Sequence, residues 1–148
     1  MGKSIDERSH EAIRAYLEHR GIEVLEEGWA HGTDSIDFVA MDDEEFVFVD
    51  TDTKCGGYDM PKEEPDQGRF ERIAAAYLAE SEVEGLTSIR YDIVSLLVTG
   101  SEKALLRHHK NVLNDGRWTL KQLPRAFWPR QVWSNLVTHC LSMPYIAW

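Results

Sequence analysis

The chain has 148 residues, 43% of them apolar and 10% aromatic, enough for one domain with its own core and too much for wholesale disorder. Its formal charge of −10 is unevenly spread: residues 114–148 carry four bases and one acid, which leaves residues 1–113 at −13. So anionic a body repels phosphate at long range, which excludes a general polyanion-coating protein but not a local site bridged by metal ions.

In chain order, Ser4-Ile-Asp-Glu7 has the pattern of a capping box. It predicts a helix in which Ala12, Ile13, Tyr16 and Leu17 recur near the 3.6-residue period, with Gly21 as a left-handed stop. Ile22–Leu25 is a short apolar alternation. Residues 35–40 (SIDFVA) and 45–52 (EFVFVDTD) read as strands joined by the acidic turn 41–44, which predicts an antiparallel meander. The glycines and prolines of residues 55–68 predict a mobile loop. A second helix is expected over 67–79, with Phe70, Ile73, Ala74, Tyr77 and Leu78 on one face, and a central strand over 89–98 (IRYDIVSLLV). Residues 102–113 are expected to form a third helix carrying Leu105, Leu106, His109 and Val112.

Residues 114–148 differ in kind. They hold Trp118, Trp128, Trp133 and Trp148, prolines 124, 129 and 144, and an apolar stripe at helical spacing (Val132, Trp133, Leu136, Val137, Cys140, Leu141) after Pro129. The expected organisation is an α/β or α+β sandwich domain over 1–113 and a C-terminal aromatic, basic extension over 114–148 that packs on the domain or on a partner. Tryptophan beside arginine suits a nucleic-acid stacking surface, but it suits packing or a homodimer contact better. No stretch approaches the roughly 20 apolar residues of a membrane span, and the N-terminus lacks the apolar core of a signal peptide, so the expectation is a cytoplasmic protein with no membrane partner. Cys55 and Cys140 lie far apart and in no metal spacing, which excludes a zinc ribbon or a disulfide scaffold.

The residues that carry chemistry lie on the predicted second and third strands. Asp37 sits between Ile36 and Phe38 and is expected to point away from the side that those neighbours bury. Asp50, Asp52 and Lys54 follow the apolar run Phe46–Val49 at steps of two, which on a strand fall on one face roughly 6.5–7 Å apart. Asp37 and Asp50 on neighbouring strands can converge, and two or three carboxylates at one edge suit a hard Mg²⁺ or Mn²⁺ ion. A lysine beside such an ion can orient an attacking water. The ordinary explanation of the same residues is solvation and protection of a strand end.

Read together, AIRAYL (12–17), Arg20-Gly21, SIDFVA (35–40), FVFVD (46–50), RIAAAYL (72–78), RYDIV (90–94) and HHKN (108–111) resemble, in collinear order over about residues 8–113, the uncharacterised YraN-like family. That family is similar to a compact branch of the PD-(D/E)XK nuclease superfamily. The resemblance implies a restriction-endonuclease-like (TnsA-like) three-layer sandwich, a central mixed β-sheet flanked by helices, with a divergent active site. It further implies a nucleic-acid partner and Mg²⁺- or Mn²⁺-dependent phosphodiester hydrolysis. The family pattern G-E-x-x-A-x-x-Y-L falls on Ser9–Leu17, with His10 at the glutamate position. G-E-I-D falls on Asp34-Ser35-Ile36-Asp37 and keeps the aspartate. F-V-E-V-K-x-R falls on Phe48-Val49-Asp50-Thr51-Asp52-Thr53-Lys54, which keeps a carboxylate at Asp50 and puts Asp52 where the lysine belongs.

Two readings of that replacement follow. In the first, Asp37 and Asp50 are residual metal ligands of a degenerate site. In the second, the motif has slid by two residues, so that Asp37, Asp50 and Asp52 hold the metal and Lys54 orients the water with Asp52 as its catalytic partner. Lys54 starts roughly 6.5–7 Å from the usual place while catalytic placement tolerates about 1 Å, which favours degeneracy. The competing expectation, from another class, is an inactive interaction module assembling through residues 114–148. His108 and His109, neighbours on the predicted third helix, are expected to serve structural hydrogen bonds, and Arg90 and Asp92 to form an internal pair.

Overall fold

The computed structural model describes residues 2–81, 88–100 and 102–113, together with the backbone of Trp118–Thr119. Helix α1 (Ile5–His19) starts at the capping box: the Ser4 hydroxyl accepts from the Glu7 amide at 3.2 Å, and the Glu7 carboxylate accepts from the Ser4 amide at 2.8 Å. It ends in a Schellman motif, with Gly21 at φ 78° and the Ile22 amide returning to the Leu17 carbonyl at 3.0 Å. Ser4→Ala removes one half of the box and is expected to cost about 1 kcal/mol in urea unfolding.

Strands β1 (Glu23–His31), β2 (Asp34–Asp42) and β3 (Glu45–Cys55) form the expected antiparallel meander. Helix α2 (Gln67–Glu80) then crosses over to β4 (Ser88–Val98), which pairs in parallel with β3 from Glu45↔Ser88 to Cys55↔Val98. The last full strand, β5 (Ala104–His109), lies antiparallel to β4, and the two-residue β6 (Trp118–Thr119) pairs with the start of β4. The sheet order is β1-β2-β3-β4-β5 with β6 beside β4.

Burial on both faces explains the apolar density of β3 and β4. On the α2 side, Phe46, Phe48, Ile89, Tyr91 and Ile93 pack against Phe70, Ile73 and Tyr77. On the α1 side, Val47, Val49, Val94 and Leu96 pack against Ile13 and Leu17. The mixed sheet with its two helices is consistent with a restriction-endonuclease-like sandwich.

One expected element is wrong. Residues 102–113 are not a helix: β5 occupies 104–109, and a turn carrying Asn111 at φ 56° follows. The helical spacing of Leu105, Leu106, His109 and Val112 is outweighed by alternation, since Leu106 and His108 turn inward while Leu105 is 59% exposed. The open edge of β4 supplies ladder hydrogen bonds to six residues, too few for a stable isolated helix. His108 and His109 therefore point to opposite faces. The apolar alternation at 22–25 also extends further than expected, into a nine-residue strand. The expected helix after Pro129, the rest of the aromatic extension beyond β6 and its dimer contact lie outside the described residues.

Candidate functional site

The position of Asp37 depends on a break in strand alternation. Ile36 belongs to the α2-side core and Phe38 to the α1-side core, although they are two residues apart. The register pairs Glu27↔Phe38 and Trp29↔Ile36 bracket the break and set Gly28, at φ 60°, opposite Asp37. Both strands change phase together at a point where one carries a residue free to adopt the left-handed region. The expectation that Ile36 and Phe38 bury one common side thus fails, because period-2 reading assumes an unbroken strand. Asp37 Oδ2 accepts from the Thr51 amide at 2.7 Å and from Thr51 Oγ1 at 2.9 Å. It lines an open cleft of about 350 Å³ with Asp6, Ser9 and His10 of the first helix and Thr51, Asp52 and Thr53 of β3. His10 stacks on Phe38 there, with ring centroids 4.3 Å apart.

Asp50 continues the alternation of Phe46 and Phe48 and emerges on the α2 side. Its Oδ2 accepts hydrogen bonds from Arg69 Nη2 and from the Tyr91 hydroxyl, while Arg69 Nη1 lies 3.4 Å from Oδ1. Arg69 stands in the first turn of α2, where the Asp66 cap accepts from its amide at 3.0 Å. Its guanidinium also donates to the Ser35 carbonyl at 2.6 Å. Burial alone would lower the Arg69 pKa, but the hydrogen bond and charge of Asp50 more than offset it, so the net shift is upward. Tyr91, stacked on Phe70 at 4.9 Å, has its phenol pKa raised first by burial and then by its bond to Asp50. It is a fixed donor, not an acid.

This second cleft, about 250 Å³, is lined by Asp50, Thr51, Asp52, Arg69, Tyr91, Ile93 and the loop residues Lys62, Glu63 and Glu64. The loop is tied to β5: Glu63 accepts from Arg107 Nε at 2.8 Å and pairs with His109 Nδ1 at 2.5 Å, and the Pro61 carbonyl accepts from Arg107 at 2.8 Å. Lys54 lines neither cleft, and its ammonium donates to the Asp59 carbonyl at 3.2 Å. Asp37 and Asp50 thus line different clefts, which adjoin at Thr51 and exposed Asp52. Among the described residues no group of three or more His, Cys, Asp or Glu side chains is gathered to hold a metal ion.

Sequence reasoning missed Arg69 and Tyr91. The available signal was weak: an arginine in a helix's first turn, where the dipole favours acids, and a phenol alternating with Ile89 and Ile93. Only the parallel register, which sets Tyr91 beside Phe48 and Ile93 beside Asp50, brings that phenol to the carboxylate. The expected Arg90–Asp92 pair is present at 2.9 Å. His108 serves structure as expected, with Nε2 2.8 Å from Asp92 and Nδ1 3.2 Å from the Tyr16 hydroxyl.

A mixed sheet with an antiparallel meander and a helical crossover makes this an α/β protein, consistent with a restriction-endonuclease-like sandwich. The profile of the uncharacterised protein family UPF0102 matches residues 10–96, and the chain belongs to that family. It is 32% identical over 117 residues to a UPF0102 protein of Beutenbergia cavernae, covering 71% of this chain and 98% of the relative. It is 27% identical over 114 residues to one of Nocardia farcinica, covering 74% and 89%, and 30% identical over 111 residues to one of Alkaliphilus metalliredigens, covering 71% and 94%. No helix among the described residues is long and apolar enough to cross a membrane.

Proposed function

We propose that this chain is a cytoplasmic, nucleic-acid-related protein of the PD-(D/E)XK type in which metal-dependent phosphodiester hydrolysis has degenerated. The observation that carries the reading is the state of the two positions hydrolysis needs. Asp52 stands at the lysine position, and Lys54, the substitute under a slid motif, spends its ammonium on the Asp59 carbonyl. The carboxylates fit a hard divalent ion poorly as arranged. Asp37 is committed to Thr51, Asp50 to Arg69 and Tyr91, and the two open on different clefts. No hydrolytic step is routed through Asp37, Asp50, Asp52 or Lys54. Contact with nucleic acid falls to the basic residues 114–148, since the −13 body repels phosphate. The reading as an inactive interaction module or homodimer rests on that same segment.

The test is incubation of the full chain with Mg²⁺ or Mn²⁺ and linear, nicked or branched DNA and RNA. The expected result is no cleavage above a metal-only control. Cleavage abolished by Asp50→Asn or Lys54→Ala overturns the reading and restores the slid motif. Fluorescence anisotropy with the same substrates, without metal, is expected to show binding that weakens steeply with salt; salt-independent or absent binding removes the nucleic-acid part.

A further inference from the structure

The connection from β3 to α2 lies across the sheet and covers a part of it that α2 does not reach. Helix α2 packs on Phe48, Tyr91 and Ile93, but the same face continues toward the strand ends in two further rows, Asp52–Ser95–Arg107 and Lys54–Leu97–Leu105. Gly56 and Gly57, at φ 78° and 81°, turn the chain back there, and the Gly56 amide donates to the Val98 carbonyl at 3.0 Å. On the β3 side, Lys54 Nζ donates to the Asp59 carbonyl at 3.2 Å. On the β5 side, Arg107 Nη2 donates to the Pro61 carbonyl at 2.8 Å. Between Asp59 and Pro61 the chain therefore crosses β4 above buried Ser95 and Leu97.

The hold of this strap is polar. Of residues 56–66 only Pro61 is buried, and none belongs to either apolar cluster. The latch is Glu63, 15% exposed, whose Oε1 accepts from Arg107 Nε at 2.8 Å and whose Oε2 lies 2.5 Å from His109 Nδ1. Arg107 and His109, two residues apart on β5, thus share the two oxygens of one anion. Beneath the strap the Ser95 hydroxyl is buried and has no hydrogen-bond partner among the described residues. The closed strap leaves that hydroxyl dry, and lifting the strap lets water reach it. A segment with few apolar contacts and an ionic latch opens at a free energy below that of global unfolding.

We propose that residues 56–66 are an autoinhibitory strap, and that Glu63 occupies a phosphate-binding position formed by Arg107 and His109. Latched, the strap sets Glu63 and Glu64 into the wall of the cleft that holds Asp50 and Asp52, which turns phosphate away. Released, it takes both glutamates off that wall and frees Arg107, His109 and Lys54 on the uncovered face. A phosphate group offers the same pair of oxygens with more charge, so phosphate and Glu63 compete for one place. The proposal adds a point of contact to the nucleic-acid reading, and it rests on that reading only for the source of the phosphate.

The test places a thiol under the strap: Ser95→Cys in a full chain carrying Cys55→Ser and Cys140→Ser, labelled with a disulfide reagent under native conditions. Val94→Cys, in the α1-side core, reports global opening in the same background. The Ser95→Cys thiol is expected to label about a hundredfold faster than the Val94→Cys thiol and with little dependence on urea, the mark of local opening. Adding Glu63→Gln is expected to speed labelling at position 95 about tenfold more. Inorganic phosphate is expected to speed it too, relative to chloride at equal ionic strength, but not in Arg107→Gln, which labels fast throughout. Equal rates at positions 94 and 95, or no effect of Glu63→Gln, overturn the strap. A rate indifferent to phosphate overturns the phosphate position. A short single-stranded oligonucleotide that acts at lower concentration than inorganic phosphate identifies a nucleic-acid backbone as the source; a response to inorganic phosphate alone identifies free phosphate. A chain that binds no nucleic acid yet answers inorganic phosphate loses the proposed function and keeps the strap. Oligonucleotide binding that leaves position 95 unchanged does the reverse. If Ser95→Cys does not fold, trypsin cleavage after exposed Lys62 takes its place. Arg107→Gln is then expected to be cut about tenfold faster than wild type, and an equal rate overturns the strap.

Discussion

Asp92→Asn should lower the unfolding free energy by about 3–5 kcal/mol at pH 7, a large share of what a domain of this size possesses. Asp92 is fully buried, and three donors converge on it: Arg90 Nε at 2.9 Å, His108 Nε2 at 2.8 Å and the Asn111 amide at 2.9 Å. Arg90 carries the cluster outward to Asp42 at 2.9 Å and Glu45 at 2.8 Å, and His108 carries it to Tyr16 at 3.2 Å. One carboxylate thereby ties α1, the β2–β3 turn, β4 and the turn after β5. Asparagine keeps the shape but offers one acceptor oxygen to three donors, so at least one donor is left dry. Burial alone would raise the Asp92 pKa, and the bonds from His108 and Arg90 more than offset it, so the folded value lies below the ordinary one. A depressed carboxylate contributes stability above its unfolded pKa, about 3.9, and loses that contribution as pH falls through the folded value. The gap between wild type and Asp92→Asn in urea unfolding should therefore be full at pH 7 and narrow below about pH 4. A gap that does not change with pH would mean that the number of acceptor oxygens, not the ionised charge, is what Asp92 supplies.

The parts legible in the sequence were those fixed by local chemistry. The capping box, the Gly21 stop, the β2–β3 meander and α2 all follow from residues within a turn or two of each other. The internal Arg90–Asp92 pair was legible too, because both residues lie on one strand at a step of two. What sequence could not supply depends on register between segments. Tyr91 reaches Asp50 only because β4 lies parallel to β3 with Phe48 beside Tyr91. Arg69 reaches it only because α2 begins over that point. Leu105 and Leu106 read equally well in a helix, and the free edge of β4 decided the matter. Gly28 was present in the sequence, but its positive φ opposite Asp37 takes meaning only once β1 and β2 are paired. The carboxylates were thus found by spacing, while the cation and phenol that occupy one of them came from non-local contacts.

Phe48→Ala should cost about 3–5 kcal/mol, and its effect should extend to the Asp50 cleft. Phe48 is fully buried two residues before Asp50, with its ring edge-on to Phe70 and to Tyr77, centroids 5.8 Å away in each case. Those two rings carry α2, and Phe70 is the residue after Arg69. Removing the Phe48 ring leaves a void under the first turn of α2 that rigid strands on either side cannot close, so transfer and cavity terms add. The helix start is the part free to settle into the void, and Arg69 would move with it. Amide hydrogen exchange should therefore speed up over 67–73 beyond what the global loss of stability explains. On the opposite face, Val49→Ala, which truncates the α1-side core, should lower stability without that local signature. If both variants accelerated exchange uniformly along the chain, the core under α2 would be holding the whole fold and not the position of Arg69 in particular. A faster 67–73 segment in Phe48→Ala alone would tie the aromatic cluster to the ion pair: the apolar packing sets where the guanidinium stands, and the guanidinium sets what Asp50 is free to bind.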